Sequence, residues 1–143
     1  MDIAYRINTP VSADQFTALL RRCALGARRP IDDRACMQGM VDNSNLTVSA
    51  WDGDRLVGIA RSLTDFHYAC YLSDLAVDEG YQRLGIGRQL QALTQQQLGP
   101  RCNLIVIAAP GADAYYEHLG GYQRNPRCWI LARDRRLDDT ERA

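Results

Sequence analysis

The feature that most constrains the fold is a fixed order of element signals between residues 69 and 108. Residues 69–77 are β-prone, a glycine-containing loop follows, a helical pattern runs through about Leu98, and residues 103–108 form an apolar strand. Leu104-Ile105-Val106-Ile107 is apolar at consecutive positions, as expected of a strand covered on both faces. This is a strand–loop–helix–strand unit, and joining parallel strands requires such a crossover.

The segments before it read differently. Residues 46–51 and 55–63 are mixed β-prone runs joined by Asp52-Gly53-Asp54, whose Asp-Gly pair supplies the positive-φ positions of a tight hairpin. With residues 69–77 they form an antiparallel meander. Upstream, Ser12 and Gln15 have the spacing of a capping box, and Phe16, Leu19, Leu20 and Cys23 recur along one helical face. Gly26 is placed to end that helix, and a second is expected over about residues 33–41. A short helix at about 112–119 and a last strand near 128–132 complete the set. The fold class expected is α/β with a mixed sheet (α+β): six to seven strands, antiparallel meander plus one β-α-β crossover, helices on both faces. At 143 residues the chain fits one domain, with a charged tail at about 133–143 expected to fray.

Composition removes several functions. Seventeen basic residues balance seventeen acidic ones, leaving no net field to draw in nucleic acid or an anionic membrane. All the basic residues are arginine, which excludes a Schiff-base lysine and a phosphate-loop lysine. No apolar run approaches the roughly 20 residues of a membrane span, and the start of the chain lacks a signal-peptide pattern, so a cytoplasmic location is expected. Cys23, Cys36, Cys70, Cys102 and Cys128 are odd in number and widely spaced, and include no C-x-x-C pair. They read as reduced thiols buried as small hydrophobes, and no metal is expected.

Chemistry concentrates in Gln82-Arg83-Leu84-Gly85-Ile86-Gly87-Arg88, between a strand and a helix. Leu90 replaces the third glycine of a dinucleotide fingerprint, and the Gly-Lys-Ser/Thr ending of a nucleotide loop is missing. What remains suits a pyrophosphate, because two glycines admit close backbone approach and the following helix presents its positive end. An ordinary strand-to-helix turn is the plain alternative.

The order Tyr71-Leu72-Ser73-Asp74-Leu75-Ala76-Val77, then Asp78-Glu79-Gly80-Tyr81, then Gln82-Arg83-Leu84-Gly85-Ile86-Gly87 resembles the signature of the GNAT superfamily of acyl-CoA-dependent N-acyltransferases. Ala114-Tyr115-Tyr116-Glu117-His118-Leu119-Gly120 resembles a second region of that family. The resemblance implies an N-acetyltransferase that takes acetyl-CoA as cosubstrate. It implies that backbone amides from Arg83 through Gly87 hold the pyrophosphate, with Gln82 opening the loop and Arg83 and Arg88 facing phosphates. Leu75, Ala76 and Val77 would pair with the pantetheine arm where the fourth and fifth strands splay, and Tyr116 would protonate the departing thiolate. Two departures stand out: Pro110-Gly111 where many members carry an asparagine, and an extra glycine in Gly120-Gly121-Tyr122.

Acyl transfer needs a neutral amine. A lysine-like amine with a pKa of about 10.4 lies more than three units above neutrality, whereas an α-amine near 7.7–8.0 lies only about one unit above. Asp74 is the carboxylate nearest the matched strand and the candidate base, with Asp65, His67 and His118 behind it. No Ser-His-Asp or Cys-His pattern is legible, so the amine is expected to attack the thioester directly. The acceptor expected is a small-molecule or peptide amine, and a homodimer is compatible with the sequence. The alternative is a noncatalytic acyl-CoA-binding or regulatory domain.

Overall fold

The computed structural model describes residues 2–139, which divide into two compact units at the Ala109–Pro110 junction. The first holds β1 (Ile3–Ile7), α1 (Ala13–Arg21), α2 (Arg34–Asn43), β2 (Leu46–Asp52), β3 (Arg55–Thr64), β4 (Ala69–Val77), α3 (Ile86–Gln96) and β5 (Asn103–Val106). One sheet runs in the order β1-β2-β3-β4-β5. Its first three pairings are antiparallel and β4–β5 is parallel. The mixed sheet and its crossover are as the sequence indicates, but the sheet has five strands, not six to seven.

Both ends of the strand count need correction. Ile3–Ile7 escapes the sequence reading because it is a short edge strand, yet it pairs along β2 from Ile3↔Asp52 to Ile7↔Val48. The last strand expected near 128–132 is absent: that stretch is irregular, and Trp129 is 93% exposed. Strand propensity without a partner strand makes no ladder. Of the tail, residues 140–143 lie outside the described residues.

The helices form for local reasons. Ser12 accepts from the Gln15 amide while the Gln15 side chain accepts from the Ser12 amide, closing the capping box that starts α1. Asp33 caps α2 through the Cys36 amide. Gly26 does not end α1, which stops at Arg21; it lies in the following 3₁₀ turn, Ala24–Arg28, where an added Cβ would meet the Leu20 carbonyl oxygen at 2.5 Å. The hairpin turn has Gly53 at φ +58°, as the Asp-Gly signal implies.

β3 is the middle strand and is buried from Leu56 to Ser62. On one face Ile59 and Ala76 pack with Phe16, Leu19, Leu20 and Met37 from α1 and α2. On the other, Val57, Ala60 and Leu72 pack with Ile86 and Leu90 of α3. Gly58 lets α3 come close, since a Cβ there would sit 3.1 Å from both Ile86 Cγ2 and Leu90 Cδ1. No helix among the described residues is long and apolar enough to cross a membrane.

In the second unit, α4 (Asp113–Leu119) is followed by Gly120 and Gly121 at φ +76° and +87°. The additional glycine thus supplies a second consecutive left-handed position, which residues with a Cβ adopt at a cost. Arg124 ties this turn to α4 through Asp113 and Glu117. All five cysteines are free thiols, but only Cys70 is fully buried; Cys36 and Cys128 are exposed, correcting the expectation that each sits in a core.

Candidate active site

The site elements begin at β4. Register with β5 stops at Leu72↔Val106, so the following residues of β4 have no neighbour on that side of the sheet. Register with β3 also changes there, passing from Ser62↔Leu72 to Arg61↔Asp74. Ser73 is therefore an extra residue, a β-bulge placed where the strands part. Beyond it, Leu75 and Val77 pack toward α3 while Ala76 joins the core under α1 and α2. Leu75, Ala76 and Val77 thus lie on a strand edge that pairs with no strand on the β5 side among the described residues, the kind of edge an extended ligand can join.

The chain turns at Asp78, whose carboxylate accepts from the Gly80 amide and starts a 3₁₀ turn at Glu79–Tyr81. Burial pushes the Asp78 carboxyl up, but the Gly80 amide and the guanidiniums of Arg22 and Arg55 outweigh it and hold it below its ordinary value. Tyr81 donates to Asp52 at 2.6 Å, fixing the turn to the β2–β3 hairpin. Gln82 then reaches back, its Nε2 donating to the Val77 carbonyl at 3.1 Å. Arg83 and Gly85 take φ +66° and +81°, and Gly85 is the N-cap of α3.

No side chain caps that helix. Its first N–H groups have no carbonyl one turn back, so the positive end of α3 is presented beside Arg83 and Leu84. Gly85 has nothing within 4 Å of an added Cβ, so the loop leaves open space in front of its backbone. Gln82, Arg83, Leu84 and Arg88 are exposed, Ile86 is buried as the anchor, and Gly87 is partly exposed. An anion fits this place by backbone geometry and dipole alone.

Asp74, the candidate base, is held between two arginines. It is 0% exposed, and its two carboxylate oxygens accept from Arg29 Nε and Arg61 Nε. Arg29 also donates to the Ser73 carbonyl at 2.8 Å, and Arg61 donates to Ser73 Oγ at 3.0 Å and the Met40 carbonyl at 3.1 Å. Because of the bulge, Ser73 and Asp74 reach the same guanidinium, where simple alternation would place them on opposite faces. An amine has no open approach to this carboxylate. Arg29 and Arg61 are the residues the sequence reading missed; a charged residue inside the β-prone run 55–63 was the available signal.

The candidate base Asp65 is engaged within its own turn. Asp65 accepts three amides, from His67, Tyr68 and Ala69, which hold its carboxyl at about 2. So weak a base is suited to closing the β3–β4 turn rather than to taking a proton from an amine.

Tyr116 belongs to the second unit. Its ring meets Tyr115 at 5.1 Å and Tyr122 at 5.3 Å, both edge to face. Burial, with Tyr115 adding to it, pushes its hydroxyl pKa above the ordinary value. The phenol therefore keeps its proton through the neutral range. No group of three or more His, Cys, Asp or Glu residues able to hold a metal occurs among the described residues.

Comparison with known proteins bears on these elements together. A family model described as Acetyltransferase (GNAT) domain matches residues 27–128, which include β4, the glycine loop and α4. An uncharacterized N-acetyltransferase, ycf52-like, of Prochlorococcus marinus is 30% identical over 100 residues, covering 66% of this chain and 54% of that protein. The chain thus spans about half the length of that relative. Among solved structures, a GNAT-family acetyltransferase of Streptococcus pneumoniae superposes with a TM-score of 0.69 at 21% identity, over 91% of this chain and 98% of that one. The aminoglycoside N-acetyltransferase AAC(6')-Iy in complex with CoA gives 0.69 at 16% identity, over 92% and 95%. At these identities the two structures establish the fold.

Proposed function

This chain belongs to the GNAT acetyltransferase family, and we propose that it transfers an acetyl group from acetyl-CoA to a primary amine by direct attack on the thioester. The observation that carries this reading is the junction of an open β4 edge with a left-handed Gly85 and the uncapped start of α3. That junction offers strand-type hydrogen bonding and an anion cradle in succession, which suits a ligand with an amide-bearing arm ending in a pyrophosphate.

In this reading the amides from Arg83 through Gly87 hold the pyrophosphate, Gln82 fixes the loop to the end of β4, and Arg83 and Arg88 pair with phosphate oxygens. Leu75, Ala76 and Val77 bind the pantetheine arm along the backbone and orient the thioester. The neutral amine forms a C–N bond as the C–S bond breaks. Tyr116 gives its hydroxyl proton to the departing sulfur, and solvent takes up the proton lost from the amine and returns one to Tyr116. Asp74 is a positioning residue that holds Arg29 and Arg61, and does not take the proton. An α-amine-like acceptor needs little help from a base, since its pKa lies only about one unit above neutrality.

Thiol release from acetyl-CoA with a panel of polyamines, amino acids, aminoglycosides and peptide N-termini tests this. The reading requires amine-dependent release of CoA. Tight acetyl-CoA binding with no release for any amine would instead favour the noncatalytic acyl-CoA-binding domain.

A further inference from the structure

A concavity opens on the α1/α2 side of the sheet, with Arg61 on its wall. It encloses about 350 Å³, with Asn8 and Val11 from the β1–α1 link, Asp42 from α2, Thr47 from β2, and Ile59 and Arg61 from β3 on its walls. Such a volume holds a small organic molecule.

The charge cluster to which the wall residue Arg61 belongs is unbalanced. Arg29 and Arg61 share the single carboxylate of Asp74, which leaves one positive charge in surplus. The Arg61 side chain is only 6% exposed, so water does little to offset it. Among the described residues, Asp74, Met40 and Ser73 accept three of the five guanidinium N–H groups. The remaining N–H groups belong to the two terminal nitrogens of a residue that walls the cleft. Terminal guanidinium nitrogens match the two oxygens of a carboxylate. Asp42, the other charged residue on the wall, is exposed and disfavours a multiply charged anion such as a phosphate dianion.

The same guanidinium connects the cleft to the reacting region. It holds Ser73, the bulge residue at which β4 loses β5 as a neighbour. Because Arg61 donates to Ser73 Oγ at 3.0 Å, a group seated on its terminal nitrogens lies one side chain away from the residue at which that edge opens.

We propose that the acceptor is a primary amine that also bears a carboxylate, as in an amino acid, with the carboxylate seated on Arg61 in this cleft. This rests on the acetyl-transfer reading above, and its test has one arm that does not. In the first arm, wild-type protein with acetyl-CoA is assayed on matched α- and ω-amino acids, their carboxamides, and amines lacking the group. A carboxylate preference in kcat/KM of at least about tenfold is expected, the low end for a charge-assisted pair. In the second arm, calorimetry compares N-acetylated amino acids with their N-acetylated carboxamides on protein without acetyl-CoA, and the same preference is expected in Kd. Arg61→Met should abolish it. Should that variant fail to fold, Asp42→Asn, which removes the opposing charge at the wall, should strengthen carboxylate binding several-fold at low salt. Equal binding of carboxylates and carboxamides in the second arm overturns the proposal whether or not the protein turns over. Failure of acetyl-CoA to bind overturns the transfer reading and leaves the second arm to decide the cleft.

Discussion

Arg61 and Asp74 stand opposite each other in the register of β3 and β4, and the same two side chains are joined by a guanidinium–carboxylate bond. Strand pairing and charge pairing therefore fix one another at the position where β4 begins to leave β5. With Arg29 on the second oxygen, the pair holds the bulge at Ser73 that shapes the open edge.

Asp74→Asn should be costly for stability. Removing the carboxylate charge leaves two guanidiniums close together with no anion, and breaking a buried ion pair costs about 3–5 kcal/mol. Urea denaturation should show a lower midpoint with an unchanged slope. If Asp74 were instead the general base, the variant would keep its stability and lose turnover in a way that high pH restores.

Tyr116→Phe keeps the ring packed against Tyr115 and Tyr122 and removes only the hydroxyl. The thiol of the leaving group resembles a cysteine with a pKa of about 8.5, so it departs tolerably without help. We expect a fall in kcat of about a hundredfold, the low end for general acid catalysis and equivalent to roughly 2.7 kcal/mol. Acetyl-CoA affinity should be unchanged, and Tyr115→Phe should do much less. Because burial raises the Tyr116 pKa, the midpoint of any alkaline loss of activity due to this group should lie above that of an ordinary phenol and not near neutrality.

How much of this was legible in the sequence differs by residue for physical reasons. The loop from Gln82 to Arg88 was legible because its demands are local: glycines where the backbone must turn or approach, followed at once by a helix. The capping box at Ser12 and Gln15 and the Asp-Gly hairpin are local in the same way. Arg29, Arg61 and Asp74 were not, since their bonds span 45 and 13 residues and depend on a bulge that shifts register by one. Pairing of Ile3–Ile7 is likewise decided across the sheet, and the apolar residues 128–132 show strand propensity with no strand to answer it.

Acid should weaken the fold through two carboxylates. Asp65 titrates at about 2 in the folded protein and Asp78 also lies below its ordinary value. The unfolded chain binds these protons more tightly, at a pKa of about 3.9, so their contribution is complete well above pH 4 and is lost as pH falls toward 2. Urea midpoints measured from pH 5 to 2 should fall, and Asp65→Asn should flatten part of that slope. A variant with the wild-type pH profile would remove Asp65 from this role.

The most direct test of the account is calorimetric titration of acetyl-CoA into wild type and Gly87→Val. Gly87 lies in the first turn of α3, where a β-branched side chain would stand in the way of the proposed pyrophosphate while costing the helix itself little. Wild type should bind acetyl-CoA, and the variant should bind at least about tenfold more weakly, a change of roughly 1.4 kcal/mol, at an unchanged Tm. Equal affinity in a folded Gly87→Val protein would contradict the assignment of the pyrophosphate to this loop.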